Sequence, residues 1–276
     1  MGTVVALSSW VARGSVGLRA IVPAIESLGH EAIACPTVVL SNHPGHPHGA
    51  GRPVAAETLA DMLAALDANG WLARADAVLT GYLPTEAHVA VAEDLVVRVR
   101  AHRPEAEIVC DPVLGDDPEG LYLPEAVGEA VRRRLVPLAT VLTPNRFELA
   151  YLSGRPAATV SEAVAAARVV GVPAVLATSI PAGPDRLANV AVAPGRAAQC
   201  EVARRPSVPH GTGDLLAALT TGRLIEGVPL FESLAWAAAG VERAIAESGG
   251  GDELRFGPAL GDRSLRPAAL GDIAPA

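Results

Sequence analysis

The sequence predicts an α/β fold with a central, mainly parallel β-sheet flanked by helices on both faces. Short runs rich in Val, Ile, Thr and Leu alternate with longer runs of helical period along most of the chain. Half of the residues are hydrophobic and only 3% are aromatic, so the core must be built from close-packed Ala, Val and Leu, which suits layers of helix on sheet. Polar residues stand at the ends of several apolar strand runs, where an open parallel sheet collects its ligands.

TVVALSS (3–9) reads as a first, buried strand. The N-terminal stretch has no basic leader region and no small-residue cleavage pattern, so it is read as structure rather than as a signal. VGLRAIVPAIESLG (16–29) follows as a helix stopped by Gly29, and HEAIACPTVVLS (30–41) returns as a strand. A polar loop spans 41–53. Then come a helix over 55–70, a strand over 75–83, a helix over 86–102 and a strand over 106–114. PEAVGEAVRRRLVPLA (124–139) is a further helix whose VRRRL segment forms a solvated face, and TVLTP (140–144) is a short strand. Residues 161–179 turn from helix to strand through Gly171 and Pro173. Runs at 188–193 and 198–204 have no helix between them and form a hairpin about APGR. Helices over 213–225 and 230–247 close the core. The pattern predicts one domain, 1–276, whose tail, 249–276, opens on three glycines and is loosely attached. No fixed-period repeat is present.

A formal net charge of -8 argues against a nucleic-acid partner. The chain has no lysine, so its 22 positive charges are all arginine and mechanisms that need a P-loop lysine, a Schiff-base lysine or a lysine base are excluded. Cys35, Cys110 and Cys200 are far apart and odd in number, which points to neither a disulfide framework nor a zinc site and fits a reducing cytoplasm. No apolar run approaches about 18 residues, so no membrane span is predicted.

The chemistry concentrates in SVPHGTGDLLAAL (207–219). Gly211, Thr212 and Gly213 precede a helix, and free N–H groups at such a start, approached closely because glycine has no Cβ, bind anions. Asp214 has two readings, a helix-dipole partner in the first turn or a base that orients and deprotonates an alcohol beside a transferring phosphoryl group. Its company favours the second: Asp111 in CDPVLGDD, Thr143 and Glu148 in LTPNRFELAYLSG, and Thr178 with Ser179 in ATS stand at other strand ends. A buried core strand has no use for these residues.

In order, LSNHPGH (40–46), TGYL (80–83), DPVLGD (111–116), TPNRFE (143–148) and GTGD (211–214) resemble the ribokinase superfamily and, within it, the pyridoxal kinases, over nearly the whole chain to about residue 248. The resemblance implies the three-layer ribokinase-like fold and ATP-dependent phosphorylation of the 5'-hydroxymethyl group of pyridoxal or its relatives, giving pyridoxal 5'-phosphate. It implies Asp214 as catalytic base, with Gly211, Thr212 and Gly213 as the anion hole. Asp116 and Glu148 match positions near Mg2+ and the triphosphate. Asp111, Thr143 and Thr178, with Ser179 beside it, match the surroundings of the phosphates and of a monovalent cation such as K+. Asn145 lies beside the nucleotide or simply caps a helix.

Ser9 either makes a strand-end turn or matches the family's hydrogen bond to the pyridine nitrogen. His43 and Tyr82 match ring-lining positions, with Val16 and Val39 as apolar lining. The chain departs from the family at Pro44, where pyridoxal kinases commonly carry a threonine whose hydroxyl lies near the phenolic oxygen. Loss of such a hydrogen bond costs about 1 to 3 kcal/mol, and His46 or His48 is the candidate replacement. NHPGHPHG is read as a flap rather than a metal site, because Pro and Gly leave no helix to align the imidazoles. The family also implies a homodimer. Two alternatives share these residues: a hydroxymethylpyrimidine or hydroxymethylpyrimidine-phosphate kinase, and a non-catalytic protein that binds a B6 vitamer or nucleotide.

Overall fold

The structure, a computed structural model, describes residues 1–256, 260 and 265–274. The main sheet has ten strands. From one edge to the other they are β12 (Gly271–Asp272), β11 (Arg196–Ala203), β10 (Arg186–Ala193), β9 (Ala174–Pro181), β8 (Val141–Leu142), β5 (Glu107–Cys110), β4 (Ala77–Thr80), β1 (Thr3–Val11), β2 (Glu31–Leu40) and β3 (Gly51–Pro53). The run from β9 through β8, β5, β4 and β1 to β2 is parallel; the strands outside it pair antiparallel. Two residues each of β6 (Gly115–Asp116) and β7 (Gly120–Leu121) form a separate ribbon above the sheet.

Alternation along the central strands divides the core in two. Val4 and Ala6 of β1 pack with Leu79 and Val109 beneath α1 (Leu18–Ser27), α7 (Thr212–Ile225) and α8 (Leu230–Glu247). Val5 and Leu7 pack with Val78 and Ile108 on the other face, beneath α2 (Ala56–Ala68), α3 (Glu86–His102), α4 (Glu125–Ala130), α5 (Arg146–Ser153) and α6 (Val160–Val170). The three-layer α/β architecture follows from these two apolar faces. Among the described residues no helix is long and apolar enough to cross a membrane.

The structure refines the sequence reading at four places. The predicted helix over 124–139 is three pieces: α4, a π-helical turn over Val131–Leu135 and a 3-10 turn over Val136–Leu138, the last containing Pro137, which can donate no N–H. Its arginines stay solvated, Arg132 and Arg133 reaching Glu129 and Arg134 reaching Glu93. The loop over 41–53 ends in β3, which pairs with β2. α5 emerges directly from the short strand β8, and only its cap was legible beforehand.

The fourth concerns the tail. Rather than being loosely attached, its described residues dock: Leu254 and Leu260 are buried, Glu253 pairs with Arg13 at 2.9 Å, Ala268 N donates to Ala235 O, and β12 extends the sheet beside β11. Residues 257–259, 261–264 and 275–276 of that predicted tail lie outside the described residues.

Candidate active site

The site lies along the carboxyl ends of the parallel strands, where the chain leaves each strand and exposes unpaired polar groups. α7 starts there. Its N-cap, Gly211, has φ 99°, and a Cβ at that position would stand 1.8 Å from the Ser15 carbonyl oxygen. Only glycine lets the two loops approach so closely. A Cβ on Gly213, by contrast, would meet nothing within 4 Å, so the first turn of α7 opens onto free space. The N–H groups of a helix's first turn lack intrahelical acceptors, and the positive end of the dipole lies behind them.

Asp214 sits in this turn, half-buried. Burial pushes its carboxyl up to about 6, against the pull of a hydrogen bond from the Gly17 N–H. Gly17 is the N-cap of α1, with φ 56° and ψ -134°, and a Cβ there would lie 2.3 Å from both the carbonyl oxygen and Oγ of Ser9. Ser9, Gly17 and Asp214 therefore form one contiguous line from the end of β1 to the start of α7. A side chain at Gly17 would split it.

A second group of acids gathers beside it. Asp111, at the end of β5, is 8% exposed and accepts a hydrogen bond from Thr143 Oγ1 at 3.1 Å. Burial, then repulsion from Glu148 and Asp214, holds its carboxyl well above the usual range. Glu148 is 3% exposed and stands at about 7, raised by burial although backbone N–H groups donate to it. Leu114 N and Asn145 N reach its two oxygens at 2.7 and 2.9 Å, with Gly115 N at 3.5 Å. With no lysine in the chain, this cavity is strongly acidic.

Asn145 caps a helix. Its Oδ1 accepts from Glu148 N at 2.9 Å while Glu148 returns to Asn145 N, a capping box that starts α5. Its Nδ2 donates to Gly115 O at 2.7 Å, so both ends of the amide are engaged. The same loop meets β9 through a bridge between Asn145 and Thr178, whose N–H donates to Pro144 O. Ser179 follows with φ 60°, exposed. Asp116 is exposed in β6 at the rim, next to Asp117, whose N–H donates to Asp116 Oδ1 at 2.8 Å.

The candidate ring-lining residues divide. Val16 is buried beside Gly211, and the His43 ring stacks on His210 with centroids 3.8 Å apart and planes at 20°, so both reach the start of α7. Tyr82 follows β4, half-buried, its N–H donating to Ser8 Oγ at 3.2 Å and its carbonyl accepting from Thr37 Oγ1 at 2.6 Å. Val39 does not join them. A register shift between Ser8 and Ser9 aligns Ser9 with Val38, which puts Val39 opposite Trp10 on the other face, 46% exposed. Val38 is the buried neighbour of Ser9.

His48 is exposed, its carbonyl held by Asn42 Nδ2. His46 Nε2 lies 4.0 Å from Asp252. The sequence reading missed Gly17 and His210. The signal for Gly17 was present, since GSVG before α1 repeats the glycine-then-helix pattern of GTGD; nothing in the sequence pairs His210 with His43.

The family model described as Phosphomethylpyrimidine kinase matches residues 12–259. The chain is 37% identical over 264 residues to a pyridoxine/pyridoxal/pyridoxamine kinase of Bordetella bronchiseptica, covering 92% of this chain and 93% of that one. It is 33% identical to a pyridoxal kinase of Corynebacterium diphtheriae, with 86% of each chain covered. Among solved structures it is similar to the pyridoxal kinase of Leishmania donovani in complex with ADP and ginkgotoxin, with a TM-score of 0.92, 28% identity, and 99% of this chain and 100% of that one covered. The same enzyme in complex with ADP and pyridoxine matches at 29% identity with a TM-score of 0.91, covering 99% of each chain.

Proposed function

The chain belongs to the phosphomethylpyrimidine kinase family, and from that premise we infer that it is an ATP-dependent kinase of B6 vitamers. It moves the terminal phosphoryl group of ATP to the 5'-hydroxymethyl oxygen of pyridoxal and its relatives. The observation that carries the mechanism is the line Ser9, Gly17, Asp214, which ends at an open helix start.

A carboxyl near 6 is ionised at neutral pH and is a stronger base than an ordinary aspartate. Asp214 accepts the alcohol proton as the alcohol oxygen bonds to phosphorus and the bond to the bridging oxygen of ADP breaks. A loose transition state asks mainly for alignment, so a carboxylate suffices. The N–H groups of Gly211, Thr212 and Gly213 face the phosphoryl oxygens. Ser9 meets the pyridine nitrogen, while His43, Tyr82 and Val16 line the ring. Asp111, Thr143, Thr178 and Ser179 border the nucleotide, and Asn145 positions their loop through α5 and Gly115.

Mg2+ fits this donor set, because Asp116 adds to the cost of ionising the buried Glu148, Glu148 and Asp214 add to that of Asp111, and the chain has no lysine to neutralise them. Asp116, exposed at the rim with one oxygen taken by the Asp117 N–H, would hold the ion directly through the other, and Glu148 through water, since backbone N–H groups already occupy its oxygens. When bound, Mg2+ neutralises charge on the phosphates. Asp111, Thr143 and Thr178 would take a K+ ion. A homodimer is the assembly we propose, to be read by sedimentation.

Phosphorylation of pyridoxal, pyridoxine, pyridoxamine and hydroxymethylpyrimidine, measured side by side, tests the reading. Turnover of the B6 vitamers is expected. A clear preference for the pyrimidine would overturn the substrate, and binding without product would overturn catalysis.

A further inference from the structure

We propose that His210 is a positioning residue for the flap, the seat on which His43 closes. The inference rests on the B6-kinase reading above. Four segments distant in sequence meet around this ring. The flap contributes His43 in its 3.8 Å stack on His210, and the next residue after His210 is Gly211, wedged against Ser15. From the tail, Glu253 forms a backbone bridge with His210 and an ion pair with Arg13, while Asp252 stands 4.0 Å from His46. Arg13, Gly14, Ser15 and Val16 complete the rim of the narrow cleft between them.

The turn beneath the stack fixes what His43 presents. Gly45 N donates to His43 Nδ1 at 3.1 Å, so a neutral His43 carries its proton on Nε2 and offers a donor there. Burial, then the adjacent His210 and His46, pushes His43 down to about 4, which keeps it neutral. A Cβ on Gly45 would come within 3.0 Å of His43 Nδ1 and 3.3 Å of His210 Nε2, so the turn is closed tightly onto both rings. Pro44 removes the flap hydroxyl that the resemblance leads one to expect. A rigidly held His43 donor is the replacement for it, and His210, rather than His46 or His48, is what holds it.

The test is steady-state kinetics together with backbone hydrogen exchange on the full chain, wild type against H210A, H210F and H210N. H210A is expected to raise KM for pyridoxal roughly five- to tenfold, the loss of one ring stack, while kcat and KM for ATP stay as in wild type. Amides of residues 43–50 are expected to exchange faster. H210F, which keeps a flat ring, restores both readouts, and H210N, which keeps only a polar side chain, does not. Wild-type KM and exchange in H210A would overturn the proposal, as would an H210F as impaired as H210A. If the wild type phosphorylates no B6 vitamer, the functional reading fails, and exchange at 43–50 still decides whether His210 seats the flap.

Discussion

Two opposing effects act on the Asp214 carboxyl, the base we propose. Burial raises it to about 6, and the Gly17 N–H keeps it from rising further. An ionised base is required, so kcat/KM should be level above pH 6 and fall about tenfold per unit below it as the carboxyl takes up its proton. D214N should leave ATP binding nearly intact and lower kcat by orders of magnitude across the whole pH range; unchanged turnover in this variant would remove the proposed base. Gly213 gives a cleaner probe of the anion site than Gly211. Its Cβ would enter open space, and alanine favours a helix, so G213A should melt no lower than wild type while KM for ATP rises. A variant that is stable and kinetically normal would show that no phosphate approaches that turn. The sequence made Asp214 and its glycines visible through type and spacing. It could not reveal Gly17, because the backbone donor that tunes the acid carries no side-chain signature.

At the scale of elements, α5 shows how one cap organises a site. Asn145 and Glu148 satisfy each other's backbone groups, and the spare ends of both side chains tie down the loop at Leu114 and Gly115. N145A should therefore do two things at once: destabilise the fold by about 1 to 2 kcal/mol in urea unfolding and raise KM for ATP, since the acidic loop loses its anchor. A loss of stability with normal nucleotide kinetics would confine Asn145 to the cap. The cap was readable from the sequence. The helix behind it was not picked out, because eight residues of weak apolar period follow a strand of only two. The break of the 124–139 helix was likewise missed, although Pro137 stood within it.

At the scale of the whole molecule, the tail completes the fold. Leu254 and Leu260 fill the layer under α7 and α8, and Glu253 reaches across to Arg13 at the cleft. A chain ending at residue 250 should lose about 3 to 6 kcal/mol of stability, the worth of two buried leucines, read as a lower urea midpoint. An unchanged midpoint would mean that the docking contributes nothing. Three glycines at 249–251 made this segment read as loose, since flexible residues report the hinge and not what lies beyond it.

Local patterns alone specified the alternation of strand and helix, the two apolar faces of β1, and the polar strand ends at Asp111, Thr143 and Asp214, because period and residue type act within a few neighbours along the chain. The tertiary structure alone decided that Gly17 serves Asp214, that His43 meets His210, that Val39 turns away from Ser9, and that the tail closes the cleft. Each depends on strand order and register, and a single-residue slip such as that between Ser8 and Ser9 sends a side chain to the opposite face.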